Sequence, residues 1–413
     1  MRRGFFIAAL LLIVMLFSQV AAAADEMLIY HWWTAGGEKE AIDALLEVYQ
    51  KQNPDVTIVD NPVPGGAGVE MKAVMKSLIL AGQPPSTFQV HAGAEAQLYV
   101  DNGLMDPINE LWEKHGWAEV VPQDLQDLLK FNGDYYLVPV NVHRANLFFY
   151  NKKVFDEHNI TPPTTIEELL EICEKLDAAG ITPLALGSRY KWEAAHLFET
   201  ILLASAGPEF YVDYFQGKAR ATDPQFIEAL TVFGKLIGYG NKDHSAFTWD
   251  QAANRIMTGE AAFHNNGDWV KGYLTGAGYE AGVDFDVFVL PVGSFGLVVD
   301  GFGLPSGAPG RDATLRFLET ILTPEGQQAF NPIKGSIPAR SDLDDSIYDE
   351  ISRKMMADLA QDTLVPSAVH GSAAPDAFMS DWTDVIHRFL YTGDVEQTAR
   401  ELDARAVEHG LVQ

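Results

Sequence analysis

A pair of tryptophans followed by two glycines and a carboxylate is the segment of this sequence best suited to binding chemistry. Trp32 and Trp33 lie between a β-like run at 27–30 and an amphipathic helical pattern that begins near Glu38. Neighbouring residues point in different directions, so at least one indole is expected to face a cleft. An indole face is a flat apolar plate that suits the C–H face of a pyranose ring, while polar groups take its hydroxyls. The alternative is that both tryptophans are packing residues at a domain edge.

A short predicted strand further along ends in two polar side chains. Gln89 and His91 lie two residues apart in the run 87–91, and alternate residues of a strand share one face. The carboxyl ends of strands in an open α/β sheet line the crevice where ligands bind. We therefore predict that both side chains contact the same ligand as the tryptophan pair. The alternative is that they are satisfied polar groups at a strand end.

The elements around these residues indicate two α/β lobes. Strand-like and helix-like runs alternate up to an Asn-Gly turn at 132–133, which predicts a hairpin. A new alternation begins with the apolar strand 147–150 and a helix whose capped start lies in the run 161–168, so the change near 138–146 marks a boundary. The glycine-rich loop at 62–68 lacks the lysine-serine ending of a phosphate-binding loop and is given no phosphate role.

The first 24 residues predict a secretory signal peptide. Two arginines precede an unbroken apolar run at 5–17, and four alanines at 21–24 offer small residues for cleavage. The apolar run spans 13 residues, against the roughly 20 that cross a bilayer. We expect cleavage after Ala23 or Ala24 and an exported, periplasmic product without membrane insertion. The alternative is an uncleaved membrane anchor.

Composition argues against several function classes. The formal net charge of −28 should repel nucleic acid and anionic lipid surfaces. The single cysteine, Cys173, rules out an intrachain disulfide and is expected to be a buried, small apolar residue. A thiolate nucleophile and a zinc cluster are therefore not expected.

The segment 248–269 carries a more specific pattern. It combines a helix, a Gly-Glu-Ala-Ala-Phe run at 259–263 and a Gly-Asp-Trp that ends at Trp269. This pattern resembles the signature of family 1 extracellular solute-binding proteins, the periplasmic receptors of carbohydrate ABC importers. Segments 180–186 and 322–330 agree with it in the right order.

The resemblance extends over essentially the whole chain after residue 24. Within the family, the segment that holds the tryptophan pair and the Gln-Val-His at 89–91 are similar to glucose- and galactose-binding members more than to maltose receptors.

The resemblance implies an α/β, periplasmic-binding-protein-like fold. Two α/β/α lobes would be joined by a hinge of three chain crossings, with the ligand cleft between the lobes. Residues 297–302 are expected to form a crossing strand. The implied ranges are 25–138 and 298–335 for lobe one, 142–293 and 338–413 for lobe two, and 137–143, 293–299 and 333–338 for the crossings.

The resemblance also implies sugar contacts, carried over residue by residue. The aromatic wall falls on Trp32 and Trp33, with Trp269 stacking from the opposing lobe. Charged groups make the stronger hydrogen bonds, so Asp300 would accept from two adjacent hydroxyls and Lys334 would donate to hydroxyls beside it. The remaining polar contacts fall on Glu38, Gln89, His91 and His370.

A second tier of candidates has competing interpretations. Asn141 and His143 are either ligand contacts or hinge residues, and Trp192 is either a contact or simple packing. For Lys334 the ordinary interpretation is a surface lysine, and its place beside a predicted crossing favours function. The other second-tier candidates are Trp249 and Asn266.

Two rival functions stay open. A secreted glycoside hydrolase needs two carboxylates about 5–5.5 Å or 6.5–9.5 Å apart, one of them an acid. Glu38 and Asp300 are a nominal pair, but no hydrolase motif accompanies them. A metal-binding receptor would use histidines, which lack the close spacing of a metal site. Those histidines are His31, His91, His143 and His370.

The expected protein is therefore a monomeric receptor rather than an enzyme. It would bind a sugar, with the monosaccharides glucose and galactose favoured and a short oligosaccharide as the alternative. Hinge closure would deliver the sugar to the transmembrane permease subunits of an ABC importer. No cofactor, metal or nucleic acid is expected.

Overall fold

Two sheets, each flanked by helices, form the two lobes of the molecule. The computed structural model describes residues 25–412, and the predicted signal peptide lies outside the described residues. The strands are β1 Asp25–His31, β2 Val56–Pro62, β3 Thr87–His91, β4 Met105–Asp106, β5 Lys130–Phe131, β6 Asp134–Tyr135, β7 Leu137–Pro139, β8 His143–Arg144, β9 Leu147–Asn151, β10 Thr182–Leu184, β11 Ala261–Asn266, β12 Phe285–Val289, β13 Ser294–Val298, β14 Asp300–Pro305 and β15 Thr363–Pro366.

The helices cover both faces of these sheets. They are α1 Gly37–Gln52, α2 Val69–Leu80, α3 Ala94–Asp101, α4 Asn109–His115, α5 Gln123–Leu129, α6 Lys152–Glu157, α7 Ile166–Ala178, α8 Lys191–Phe215, α9 Pro224–Gly238, α10 Trp249–Met257, α11 Trp269–Gly276, α12 Arg311–Ile321, α13 Pro324–Lys334, α14 Glu350–Leu359, α15 Asp376–Thr392 and α16 Val395–Glu408.

The first lobe is built on a six-stranded sheet. Its order is β2-β1-β3-β14-β4, with β7 also paired to β14. Strands β1, β2 and β3 run parallel, whereas β14 is antiparallel to its neighbours. Helices α1, α12 and α13 pack together on this lobe, so its core combines parallel α/β units with a strand that returns late in the chain.

The second lobe is built on the sheet β10-β11-β9-β12. Helices α8, α9, α15 and α16 pack against one another beside it. The sequence explains α7 directly, because Thr165 accepts a hydrogen bond from the backbone N–H of Glu168 and caps the helix. Cys173 lies on the inner face of α7 and is fully buried, as predicted.

The predicted hairpin at the Asn-Gly turn is present. Asn132 and Gly133 join β5 to β6 with φ values of 54° and 96°. Positive φ at both central residues is the geometry of a type I′ turn, which glycine adopts freely and asparagine tolerates.

The expectation of a crossing strand at 297–302 is corrected by the structure. The run divides at Val299 into β13, which belongs to a three-stranded sheet of order β15-β13-β8, and β14, which belongs to the six-stranded sheet. Val298 pairs with His143 in β8, whereas Asp300 pairs with His91 in β3. The chain changes sheets here because each half finds its hydrogen-bond partners on a different side of the cleft, and Asp300 becomes the first residue of the new strand.

Three connecting segments lie side by side between the lobes. The backbone N–H of Val140 donates to the carbonyl of Asp300 at 2.9 Å. Val142 and Ile337 form an antiparallel bridge. Mutual pairing therefore satisfies the backbone groups of segments that would otherwise be buried without partners. The predicted two-lobed α/β architecture is confirmed.

Within residues 25–412, no helix combines the length and the apolar character that spanning a bilayer requires.

Arg144 connects the segments between the lobes to the second lobe through buried ion pairs. Its side chain is 1% exposed, and Nη1 and Nη2 lie 2.5 Å and 2.9 Å from carboxylate oxygens of Asp358 and Asp362. Nη2 also donates to the carbonyl of Ser294 at 2.8 Å. A buried guanidinium with this many partners fixes α14 against β8 and β13.

We expect Arg144→Met to destabilise the protein. The substitution keeps apolar volume but leaves Asp358 and Asp362 without their shared cation, a loss of roughly 3 kcal/mol for a broken buried pair. Urea unfolding followed by circular dichroism measures it. Lys354→Met is the matched control, because Lys354 pairs with Asp358 on the surface; equal losses in the two variants would contradict the role of Arg144.

Candidate functional site

A cavity lies between the two lobes, and about 400 Å³ of space in it, including space open to solvent, is free of protein atoms. Its walls carry aromatic plates, two carboxylates, one ammonium and several imidazoles. The residues that line it are Trp32, Trp33, Glu38, Gly66, Ala67, His91, His143, Trp192, Trp249, Trp269, Val298, Asp300, Lys334 and His370.

Most residues predicted for the ligand site therefore come together, although their roles as ligand contacts stay predictions. Three candidates do not line the cavity, namely Gln89, Asn141 and Asn266. Asn266 is engaged nearby, where its amide lies 3.1 Å from Nε2 of His264 and its oxygen accepts from the N–H of Gly267.

Gln89 lies behind the cavity wall and connects two of its members. Its Oε1 accepts from the backbone N–H of Trp32 at 3.1 Å, and its Nε2 donates to Asp300 at 2.9 Å. The side chain is fully buried. Gln89 thus positions the aromatic segment relative to the carboxylate.

Asp300 is a buried carboxylate surrounded by hydrogen-bond donors. Besides Gln89, it accepts from Nδ2 of Asn141 at 3.0 Å, and Nε2 of His143 lies 3.2 Å away. Nε2 of His91 lies 3.7 Å from its other oxygen. Burial alone raises the pKa of Asp300, but the hydrogen bond from His143 and the charge of His91 outweigh it and hold that pKa well below its usual range.

His143 bridges Asp300 to a second buried carboxylate. Its Nδ1 is hydrogen bonded to Asp268, which also accepts from the backbone N–H of Arg144 at 3.0 Å. Burial lowers the pKa of His143, but the charge of Asp268 and the hydrogen bonds to both aspartates raise it above the ordinary value of 6.5. The arrangement favours an imidazolium held between two anions.

His91 has a similar position on the first lobe. Its Nδ1 lies 2.8 Å from Glu95, and the same carboxylate oxygen lies 2.7 Å from Nζ of Lys72. Burial raises the pKa of Glu95, but the charges of Lys72 and His91 lower it below its ordinary value. Asp300 therefore lies between two histidines, each backed by another carboxylate.

His370 is held in one tautomer by a relay that ends at a backbone carbonyl. Nε2 of His196 lies 3.0 Å from the carbonyl of Ala145 and donates to it, which leaves Nδ1 of His196 as an acceptor. That Nδ1 lies 3.0 Å from Nε2 of His370, which donates to it. Burial lowers the pKa of His196 to about 3 and holds the pKa of His370 well below its usual range, so both rings are neutral.

The tryptophans come from both lobes. Trp33 packs on Phe330 and Phe302 with ring centroids 4.8 Å and 5.9 Å away. Trp32 lies over His91 at 4.8 Å. From the second lobe, Trp269 contacts His143 and His370, with both centroid distances 5.2 Å. Each indole is thus fixed on one side by packing and borders the cavity on another.

Lys334 is buried rather than exposed on the surface. It is the last residue of α13, and its Nζ lies 3.0 Å from Oε1 of Glu38. The ammonium also lies 5.7 Å from the centre of the Trp269 ring. The nearest partners of Asp300 are amides and a histidine rather than Lys334.

The geometry bears on the two rival functions. A glycosidase pairs one protonated carboxylic acid with one ionised carboxylate, and the pKa of Asp300, held low by its histidine neighbours, excludes Asp300 from the acid role. Among residues 25–412, no group of three or more histidine, cysteine, aspartate or glutamate side chains is arranged to hold a metal ion. Of the four histidines considered for a metal, His31 lies apart from the cavity and is bonded to Asp60 at 2.7 Å.

Sequence reasoning missed two carboxylates that shape the site. Asp268 directly precedes Trp269, and Glu95 follows His91 by four residues. Both are almost fully buried. An acidic residue within four positions of a predicted contact was the available signal, but the pairing of Asp268 with His143 and of Glu95 with Lys72 depends on tertiary structure.

Comparison with known proteins places the chain among transport receptors. The family model described as bacterial extracellular solute-binding protein matches residues 35–328. An uncharacterised ABC transporter extracellular-binding protein of Pyrococcus horikoshii is 42% identical over 372 residues, covering 89% of this chain and 84% of that protein. A probable sugar-binding periplasmic protein of Mesorhizobium japonicum is 33% identical over 367 residues, covering 86% and 87%.

A solved structure shows the same fold. The bacterial solute receptor AcbH, described as having an exclusive preference for β-D-galactopyranose, superimposes with a TM-score of 0.82. The match covers 93% of this chain and 99% of that one at 21% identity.

The raised pKa of His143 predicts a pH-dependent contribution to stability. A histidine whose folded pKa exceeds its unfolded value stabilises fully below the unfolded value of 6.5, and that stabilisation is lost as pH rises through the folded pKa. Between about pH 5 and pH 9, we therefore expect the advantage of the wild type over His143→Gln in unfolding free energy to be largest below 6.5 and to shrink as pH rises above it.

Urea titrations of both proteins across this range measure the difference. His158→Gln, which changes a histidine outside the cavity, is the control and should not reproduce the trend. An advantage that stays constant or grows with pH would contradict the assigned charge of His143.

Proposed function

The chain belongs to the bacterial extracellular solute-binding protein family, a family of receptors rather than enzymes, and we propose that it is the sugar receptor of an ABC importer. The observation that carries the proposal is the cavity between the lobes, where indole plates surround a buried carboxylate. We further propose that the ligand is a monosaccharide, with glucose or galactose favoured over a short oligosaccharide.

The size of the cavity supports a small ligand. Its volume of about 400 Å³ includes space open to solvent, so the enclosed part is smaller than that and lies at or below the lower end of the roughly 300–1,000 Å³ found for ligand pockets. A cavity this small favours a ligand of about one sugar ring over a lipid, a peptide or a nucleic acid.

The chemistry of the walls supports an uncharged polyol. Asp300 is an ionised acceptor, and hydroxyl groups donate strong hydrogen bonds to carboxylates. Glu38 and Lys334 form their own pair at 3.0 Å, so the remainder of the cavity presents little net charge to a ligand. Indole faces from Trp33 and Trp269 suit the C–H surfaces of a sugar ring.

The position of the site supports a hinge. The proposed lobe boundaries are 25–138 with 298–335 and 142–293 with 338–413, joined at 137–143, 293–299 and 333–338. Aromatic groups from both lobes would contact one ligand, so the ligand favours the closed arrangement by contacts that the open one lacks. Release to the permease subunits would follow reopening. We propose that the receptor acts as a monomer in the periplasm after removal of residues 1–24.

Replacing Asp300 with asparagine tests the polar half of the site. Asp300→Asn keeps the shape but replaces one acceptor oxygen with a donor, which leaves a ligand hydroxyl unpaired at about 1–3 kcal/mol per unmet group. We expect a severe loss of affinity for the cognate sugar and a mild one for an epimer or deoxy analogue that lacks the contacted hydroxyl.

Isothermal titration of glucose, galactose and their deoxy analogues measures these losses. Trp33→Ala is the companion variant, because removing an aromatic plate should weaken every sugar alike. Equal binding of all sugars by Asp300→Asn and the wild type would contradict the proposal, as would release of reducing ends from a bound oligosaccharide.

A further inference from the structure

A glycine-rich loop and Trp192 meet directly across the cleft. Gly66 and Ala67 line the cavity from the first lobe, and Trp192 lines it from the second. A Cβ built on Gly66 would lie 2.6 Å from Nε1 of Trp192, so the loop backbone already touches the edge of the indole. A Cβ on Gly68 would lie 2.5 Å from the ring of Trp32, so the same loop also rests on a first-lobe indole. The cavity is closed where this loop touches Trp192.

Trp192 cannot leave this position without disturbing other groups of the cavity. It is the second residue of α8 and is 4% exposed. Its ring centroid lies 5.7 Å from that of His370 and 6.0 Å from that of His196. The two imidazoles, which are hydrogen bonded to each other, therefore pack against the indole and hold it in place.

The indole nitrogen of Trp192 carries an unused donor. Among the described residues, Nε1 is buried and has no hydrogen-bond partner. Buried polar atoms in folded proteins are nearly always paired, so this donor calls for an acceptor that the protein itself does not supply. The adjoining cavity is where such an acceptor would bind.

We propose that Trp192 and the loop 65–68 form an end wall that limits the ligand to a single sugar ring, and that the Trp192 indole N–H donates to an oxygen of that ring. This inference rests on the proposed sugar-binding function. At this end of the cavity, a second ring would have to pass where Gly66 touches the indole, and that contact leaves no room for it.

Titration calorimetry with glucose, galactose, maltose and cellobiose tests the wall. The wild type should bind a monosaccharide and bind both disaccharides at least about 100-fold more weakly. Trp192→Ala should weaken the monosaccharide about tenfold and strengthen a disaccharide by a similar factor, since each tenfold step corresponds to about 1.4 kcal/mol. Trp192→Phe keeps an aromatic plate without the donor, so it should still exclude disaccharides while binding the monosaccharide about five- to tenfold more weakly.

Gly66→Ala tests the wall from the opposite lobe. The backbone of Gly66 has a φ that alanine tolerates, so the added methyl acts only by pushing against Trp192. We expect weaker monosaccharide binding. Gly238→Ala is the matched control, because a Cβ at Gly238 meets nothing within 4 Å and should leave binding unchanged. Thermal unfolding confirms that each variant is folded.

The outcomes separate this inference from the function on which it rests. A wild type that binds none of these sugars would overturn both. A wild type that binds a monosaccharide, with Trp192→Ala still excluding disaccharides, would overturn the end wall alone. Trp192→Phe binding the monosaccharide as tightly as the wild type would overturn the hydrogen bond from the indole.

Discussion

The burial of an ionised carboxylate at the point where the chain changes sheets is the constraint on which the site depends. Asp300 opens β14 directly after Val299, and its charge is removed from water. An isolated buried carboxylate would protonate, so the fold surrounds it with donors from other segments. Gln89, Asn141 and His143 supply them, and each is buried in turn. The Asp300 carboxylate thereby links the first lobe to the connecting segments through these hydrogen bonds.

The histidines of the site have opposite electrostatic roles although their residue type is the same. His143 has carboxylates on both ring nitrogens, and its pKa is raised by them. His196 faces a carbonyl and another imidazole, and burial lowers its pKa to about 3. One ring is thus a buried cation and the other a neutral relay. Together they fix an acceptor, Asp300, and orient His370, which gives a rigid polar frame between the indole plates.

Local patterns made much of this structure predictable from the sequence. The helix capped by Thr165, the Asn-Gly hairpin and the strand ending at His91 all follow from residues within a few positions of one another. The two-lobed fold was predicted from the resemblance of the segment ending at Trp269 to the family signature. Contacts between distant segments were not predictable: Gln89 and Asp300 are 211 residues apart, and nothing near Gln89 indicates that it lies behind the wall. The division at Val299 likewise depends on which strands approach from each lobe.

The protonation state of His143 at pH 6.5 tests the central claim most directly. Nitrogen NMR of the protein labelled at histidine reports each ring nitrogen, with His143→Gln used to assign the signal. We expect both nitrogens of His143 to carry protons, since its pKa lies above 6.5. A neutral ring with a bare Nε2 would instead accept from Nδ2 of Asn141, which lies 2.9 Å away. That result would contradict the account, because Asp300 would lose the charged partner that keeps it ionised.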